Sequence, residues 1–196
     1  MTQFSGAESR EFELKYRIIE KVNHAAKTNN LELIHEYIRL KGNLNIQDEK
    51  GYTPLIFAAY YGNEEMVELL LKNKANPCVK DKRGNTALMG AIFKGNLSIA
   101  YKLMNSECAI HQKNNANQTA LMYASLFNRK ELARELIAKG QNPKFKDNHG
   151  VSAIDVAKKQ YNNEMVELLT KQSDRTSSKS NEEAYQEIRR RYDIRK

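Results

Sequence analysis

Short apolar bursts separated by polar punctuation run along this chain, and the punctuation returns at a fixed interval. The stretch Gly51-Tyr52-Thr53-Pro54-Leu55-Ile56-Phe57-Ala58 shows the unit. Thr53 suits the cap of a helix start, and Pro54 the first helical position, where its missing N–H leaves nothing unpaired. Gly51, two residues earlier, fits a tight turn that needs positive φ. The same arrangement returns as Gly84-Asn85-Thr86-Ala87-Leu88, as Asn117-Gln118-Thr119-Ala120-Leu121 and as Gly150-Val151-Ser152-Ala153-Ile154, each 33 residues after the last. Ala58, Ala91, Ala124 and Ala157 keep the register. So do Gly62, Gly95 and Asn128, where a helix should end on a residue that tolerates left-handed backbone. Tyr161 breaks that column, and Asn162 beside it is the expected substitute. Met66-Val67, Ile99-Ala100, Leu132-Ala133 and Met165-Val166 open the apolar stripe of a second helix, while Asp48, Asp81, Asn114 and Asp147 share a loop position. Each period thus predicts a turn, a short helix, a tight turn and a second helix.

Upstream, Phe12, Tyr16, Ile19 and Val22 recur at three- and four-residue steps and predict a helix from Glu8 to about Lys27. Residues 1–7 are expected to be disordered. Residues 18–50 align as a degenerate first period without the Thr-Pro-Leu start, and four full periods follow at about 48–80, 81–113, 114–146 and 147–171. Repeats of this kind cannot bury their apolar faces alone and so stack on one another. On these residues the chain resembles the ankyrin repeat family over about residues 18 to 171. The resemblance implies an all-α fold, an ankyrin-repeat solenoid of stacked helix-turn-helix repeats with short turn loops. One column departs from the family pattern, which usually has histidine after Thr-Pro-Leu. Here it holds Ile56, Met89, Met122 and Asp155, so the threonine–histidine hydrogen bond that braces neighbouring repeats is absent and apolar packing is expected instead. The last repeat, polar at Lys158, Lys159 and Gln160, suits an end cap. Residues 172–180 read as a linker and 181–196 as a C-terminal helix with Ala184, Tyr185, Ile188 and Tyr192 on one side.

Composition changes this picture little. With 40% hydrophobic and 29% charged residues among 196, the chain has the makings of a globular core. No apolar run approaches the roughly 20 residues that span a bilayer. The first residues show neither a basic n-region nor an apolar h-region, so a cytoplasmic protein is expected, with secretion by a signal-independent route as the alternative. Cys78 and Cys108 lie in no CxxC motif and make no ligand spacing with the histidines. They read as two free thiols, and no metal or other cofactor is expected. The net charge of +8 brings acidic partners into view, nucleic acid included.

Candidate chemistry is sparse. The chain has no Gly-rich phosphate loop, no GxSxG elbow and no HExxH. Ser152 occupies the helix-capping column, and the acidic pairs fall on helix surfaces, so no catalytic centre is expected. The informative chemistry is a surface. The resemblance implies that partners bind the concave side, made by the turn tips and the exposed face of the first helices. The matching columns give Tyr52, Tyr60 and Tyr61, then Lys82, Arg83, Phe93 and Lys94, then Gln118, Leu126 and Phe127, and finally His149. Tyr60, Phe93 and Leu126 share one column, and Tyr61, Lys94 and Phe127 the next. Aromatic residues with arginine are what interface hot spots favour. The competing reading folds these rings inward to patch a core that lacks the histidine network. The expected function is a non-enzymatic module, a monomer, that binds another protein. The alternative is nucleic-acid binding through Lys82, Arg83, Lys94 and the tail Arg189-Arg190-Arg191. Against it, Glu182, Glu183, Glu187 and Asp193 interrupt the tail, and no nucleic-acid-binding signature appears.

Overall fold

The structure, a computed structural model, describes residues 6–106 and 110–171. Cys108 and the expected linker and C-terminal helix over 172–196 lie outside these residues. The chain divides into two compact units, one up to Ala120 and one from Leu121 on. The first holds α1 (Gly6–Thr28), α2 (Leu31–Arg39), α3 (Pro54–Tyr61), α4 (Glu64–Lys72), α5 (Ala87–Lys94) and α6 (Leu97–Leu103). At the start of the second comes α7 (Ala120–Leu126), followed by α8 (Lys130–Ala138), α9 (Ala153–Lys159) and α10, residues 163–171. Among the described residues the only extended pairings are isolated bridges at two hairpin turns, Lys113 with Thr119 and Lys146 with Ser152. The fold is all-helical, as the ankyrin-type period implied. α1 begins at Gly6, inside the stretch expected to be disordered.

The short helices start as the sequence dictates. Thr53 is extended at φ −95 and ψ 164, and its Oγ1 accepts the Ile56 N–H, with Pro54 next in line. Thr86 caps Met89 in the same way. In α9 a capping box closes the start: Ser152 Oγ accepts the Asp155 N–H, and the Asp155 carboxylate accepts the Ser152 N–H. α3 is apolar nearly all round because it lies between α1 and α5. Ala58, Ala91, Ala124 and Ala157 are wholly buried, and a methyl group is what lets such helices approach. In three of the four repeats the histidine column of the family is filled by an apolar side chain, and in the fourth by Asp155. Ile56, Met89 and Met122 are all buried, so packing holds the place of the missing hydrogen bond.

Left-handed residues recur with the period. Asn29, Gly62, Gly95, Asn128 and Tyr161 all have positive φ, as do Gly51, Gly84, Asn117 and Gly150. Tyr161 therefore corrects the expectation that Asn162 would take this role. Tyr161 turns the chain itself, and Asn162 Oδ1 instead accepts the Met165 N–H to start α10.

Within the first unit, hydrogen bonds one period apart join successive repeats. The Lys82 N–H donates to the Lys50 carbonyl at 2.9 Å, and the Asn115 N–H to the Arg83 carbonyl at 2.9 Å. Asn63 Nδ2 reaches the carbonyls of Ala26 and Lys27, and Asn96 Nδ2 those of Ala59 and Tyr60. Those are carbonyls that the end of the preceding first helix leaves without an intrahelical donor. In the second unit Gln141 Oε1 accepts the Leu121 N–H in the first turn of α7, and Ser125 Oγ donates to the Ala153 carbonyl at 2.7 Å. Cys78 corrects a further expectation. It is disulfide-bonded, not a free thiol.

Candidate functional site

The turn tips are built by one side chain per period. Asp48 Oδ1 accepts the N–H groups of Lys50 and Tyr52, and Asp81 Oδ1 those of Arg83 and Asn85. Asn114 does the same for Ala116 and Gln118, and Asp147 for His149 and Val151. A short acidic or amide side chain two residues ahead of the tip is suited to this, because it mimics a backbone turn. The tips thus hold Lys82 and Arg83 out into solvent. Gln118 is drawn into its own turn, its Oε1 accepting from Asn114 Nδ2 at 2.9 Å. His149 stands exposed at the last tip.

Next to the tips of the first unit, α3 and α5 assemble a ring cluster. Tyr60 stacks on Phe93 with centroids 6.0 Å apart and planes 15° from parallel. Tyr61 meets Tyr60 edge-on at 5.4 Å and stacks on Phe57 at 6.5 Å, and Phe57 meets Tyr52 edge-on at 5.3 Å. Two ammonium groups cover the tyrosines: Lys27 Nζ lies 5.1 Å from the Tyr61 centroid, and Lys94 Nζ 5.1 Å from that of Tyr60. Both distances fall within the range of a cation–π contact. The cluster is not core. Tyr61 is 47% exposed and Phe93 46%, while Tyr52, Phe57 and Tyr60 are half-buried. Burial raises the pKa of the Tyr52 hydroxyl, and the nearby Asp81 carboxylate adds to the rise, so the phenol stays a neutral donor.

The first unit therefore gathers Tyr52, Tyr60, Tyr61, Phe93 and Lys94. Leu126, Phe127 and His149 belong to the second unit. There Leu126 is 45% exposed, and Phe127 lies 6.4 Å from Tyr123, centroid to centroid. Three residues of these surfaces are not among those that the matching columns give: Lys27, Phe57 and Tyr123. The signal was in the sequence. Lys27 stands one period before Tyr60, and Phe57 and Tyr123 share a column with Gly90. At Gly90 a β-carbon would sit 3.9 Å from the Tyr60 ring.

Among the described residues no group of three or more His, Cys, Asp or Glu side chains could hold a metal ion. No helix among them is long and apolar enough to cross a membrane. The second helices carry a contrasting surface, where Lys102 Nζ bridges Glu64 at 2.7 Å and also pairs with Glu68. That pairing raises the Lys102 pKa and lowers that of Glu64, through hydrogen bonds between them.

Two overlapping segments, residues 22–114 and 89–180, each match the family model described as ankyrin repeats in three copies. Among curated proteins nothing matches the chain. Ankyrin repeats are generally protein–protein interaction modules, and proteins built of them are typically non-enzymatic scaffolds. The 33-residue register, the repeated caps and left-handed turns, and a match covering most of its length lead to one conclusion: this chain belongs to the ankyrin repeat family.

Proposed function

We propose that the chain is a non-enzymatic binding module and that it captures a partner protein through the ring cluster of α3 and α5. The observation that carries this reading is the exposure of Tyr61 and Phe93 within a connected set of five rings. Large rings cost free energy when left in water, and they are the side chains that dominate interface hot spots. Lys82 and Arg83 at the neighbouring tip supply a polar rim, the usual border of such a patch. The exposed Leu126 and the half-buried Phe127 offer the second unit its own apolar contacts.

The test separates binding from folding. Tyr60→Ala combined with Phe93→Ala removes the stacked pair. Truncating hot-spot residues costs about 2 kcal/mol or more of binding each, whereas losing the stacking of this half-exposed pair costs the fold about 0.5–1.5 kcal/mol beyond the area the rings bury. Peptides selected on the wild-type chain should therefore bind the double variant at least tenfold more weakly, while its melting curve stays close to wild type. A collapse of thermal stability would assign the rings to the core. Unchanged affinity with an intact fold would place the binding surface elsewhere.

A further inference from the structure

We infer that the ring cluster takes an acidic peptide segment of its partner, one in which carboxylates alternate with apolar or aromatic side chains. The inference rests on the reading of the cluster as the binding surface and adds the chemistry of the occupant. What carries it is the unanswered charge around the rings. Lys27 and Lys94 lie over Tyr61 and Tyr60. A ring face attracts an ammonium group but does not saturate its three N–H donors. Among the described residues no ion pair reaches Lys27, Lys94, Lys82 or Arg83.

The carboxylates nearby are committed or offset. Asp48 and Asp81 are each engaged by two backbone N–H groups of their own turn, and Glu49 stands beside Lys50. On the second helices of the same unit, by contrast, Lys102 is paired with both Glu64 and Glu68. Four cations without an ion pair among the described residues thus border the exposed rings. A partner that brings carboxylates to that rim gains charge-assisted hydrogen bonds, and its apolar side chains cover the exposed edges of Tyr61 and Phe93.

The arrangement favours a peptide over a nucleic acid. Single-strand binders offer ring faces on which bases stack. Tyr60 and Tyr61 are each already stacked on another ring of this chain, Phe93 and Phe57, and each lies under an ammonium group.

The experiment selects binders from a random-sequence peptide library displayed on phage, using the full chain as bait. The best peptides are then synthesised, and their affinity is measured by fluorescence anisotropy at low and at physiological salt. The expected peptides carry net negative charge, and their binding weakens as salt rises. Lys27→Glu with Lys94→Glu should weaken binding by about tenfold or more, chiefly through slower association, with an unchanged melting curve. Lys27→Gln with Lys94→Gln should give an intermediate loss. Selected peptides that need Tyr60 and Phe93 but are neutral or basic overturn the acidic assignment and leave the ring surface standing. Peptides indifferent to Tyr60→Ala and Phe93→Ala overturn the surface itself. A single-stranded oligothymidylate that binds in their place, and loses binding with those substitutions, overturns the peptide in favour of nucleic acid. A library that yields no binder counts against both.

Discussion

At Tyr161 the backbone has φ 54, while the side chain is 90% exposed. A residue with a β-carbon costs about 1–2 kcal/mol in this conformation, and so exposed a ring recovers little of that through burial. Tyr161→Gly should therefore stabilise the chain. Glycine's greater freedom in the unfolded state takes back part of the gain, which leaves a rise of about 1–3 °C in melting temperature for a chain of this size. A fall would show that the ring makes contacts worth more than the strain. Asp155 makes a prediction of a different kind. Its pKa is lowered, first by the hydrogen bond from the Ser152 hydroxyl and then by that from the Ser152 backbone. A depressed carboxylate contributes stability that is full above its ordinary value of 3.8 and disappears as pH falls through the lower folded value. Asp155→Ala should accordingly cost about 1 kcal/mol near neutral pH. In thermal melts taken across pH, the gap between variant and wild type should stay constant down to about pH 4 and narrow only below it. A gap independent of pH down to the acid limit would mean that the capping box does not depend on the charge.

Among the elements, the turns ahead of the first helices show how one sequence column can serve two energetic roles. Gly84 and Gly150 both need positive φ, at 82 and 73. A β-carbon on Gly84 would meet the Asn115 backbone nitrogen at 2.5 Å, whereas one on Gly150 would meet nothing within 4 Å. Alanine at Gly150 should cost only the backbone strain, about 1 kcal/mol. At Gly84 the same strain adds to a displaced neighbouring turn, so the loss should exceed that at Gly150 by about 1–2 kcal/mol. Denaturant melts of the two single variants check this, and equal losses would mean that the successive tips can move apart freely. The elements themselves were legible in the sequence because their signals are local. Thr53 reaches Ile56, and Asp48 reaches Lys50 and Tyr52, all within four residues. The ring cluster was only half legible. Tyr60 and Phe93 stand one period apart and could be paired by counting. Lys27 was legible only through its register one period before Tyr60, because the first repeat lacks its start motif and α1 runs on through the position where the other repeats turn.

For the molecule as a whole, the cysteines set the sharpest test. Cys78 is disulfide-bonded, and disulfides persist in oxidising surroundings while cytosolic reductants open them. Maleimide labelling of the purified, oxidised chain should leave Cys78 unmodified until a reductant is added, as read by intact and peptide mass spectrometry. Non-reducing electrophoresis then shows whether the bond stays within one chain. Labelling of Cys78 before reduction would return it to a free thiol. The net charge of +8 is a second whole-molecule property. Lys102 is paired with two carboxylates, whereas Lys27 and Lys94 beside the rings have no ion pair among the described residues.

The sequence by itself determined the period, the helix caps, the left-handed columns and hence the family. All of these are short-range chemistry repeated in register, and a fixed spacing makes them visible without knowing what lies beside them. Only the tertiary structure decided the rest, because those facts depend on neighbours one period away or more. It showed that Tyr161 itself takes the left-handed turn, and that Asn63 and Asn96 are spent on carbonyls of the preceding repeat. It also decided that Tyr60 and Phe93 stack at the surface instead of filling the place of the absent histidines. Counting columns brings two rings to the same height on adjacent helices. Whether they turn inward or outward depends on the volume left between the helices, and Ile56 and Met89 are buried in the first unit.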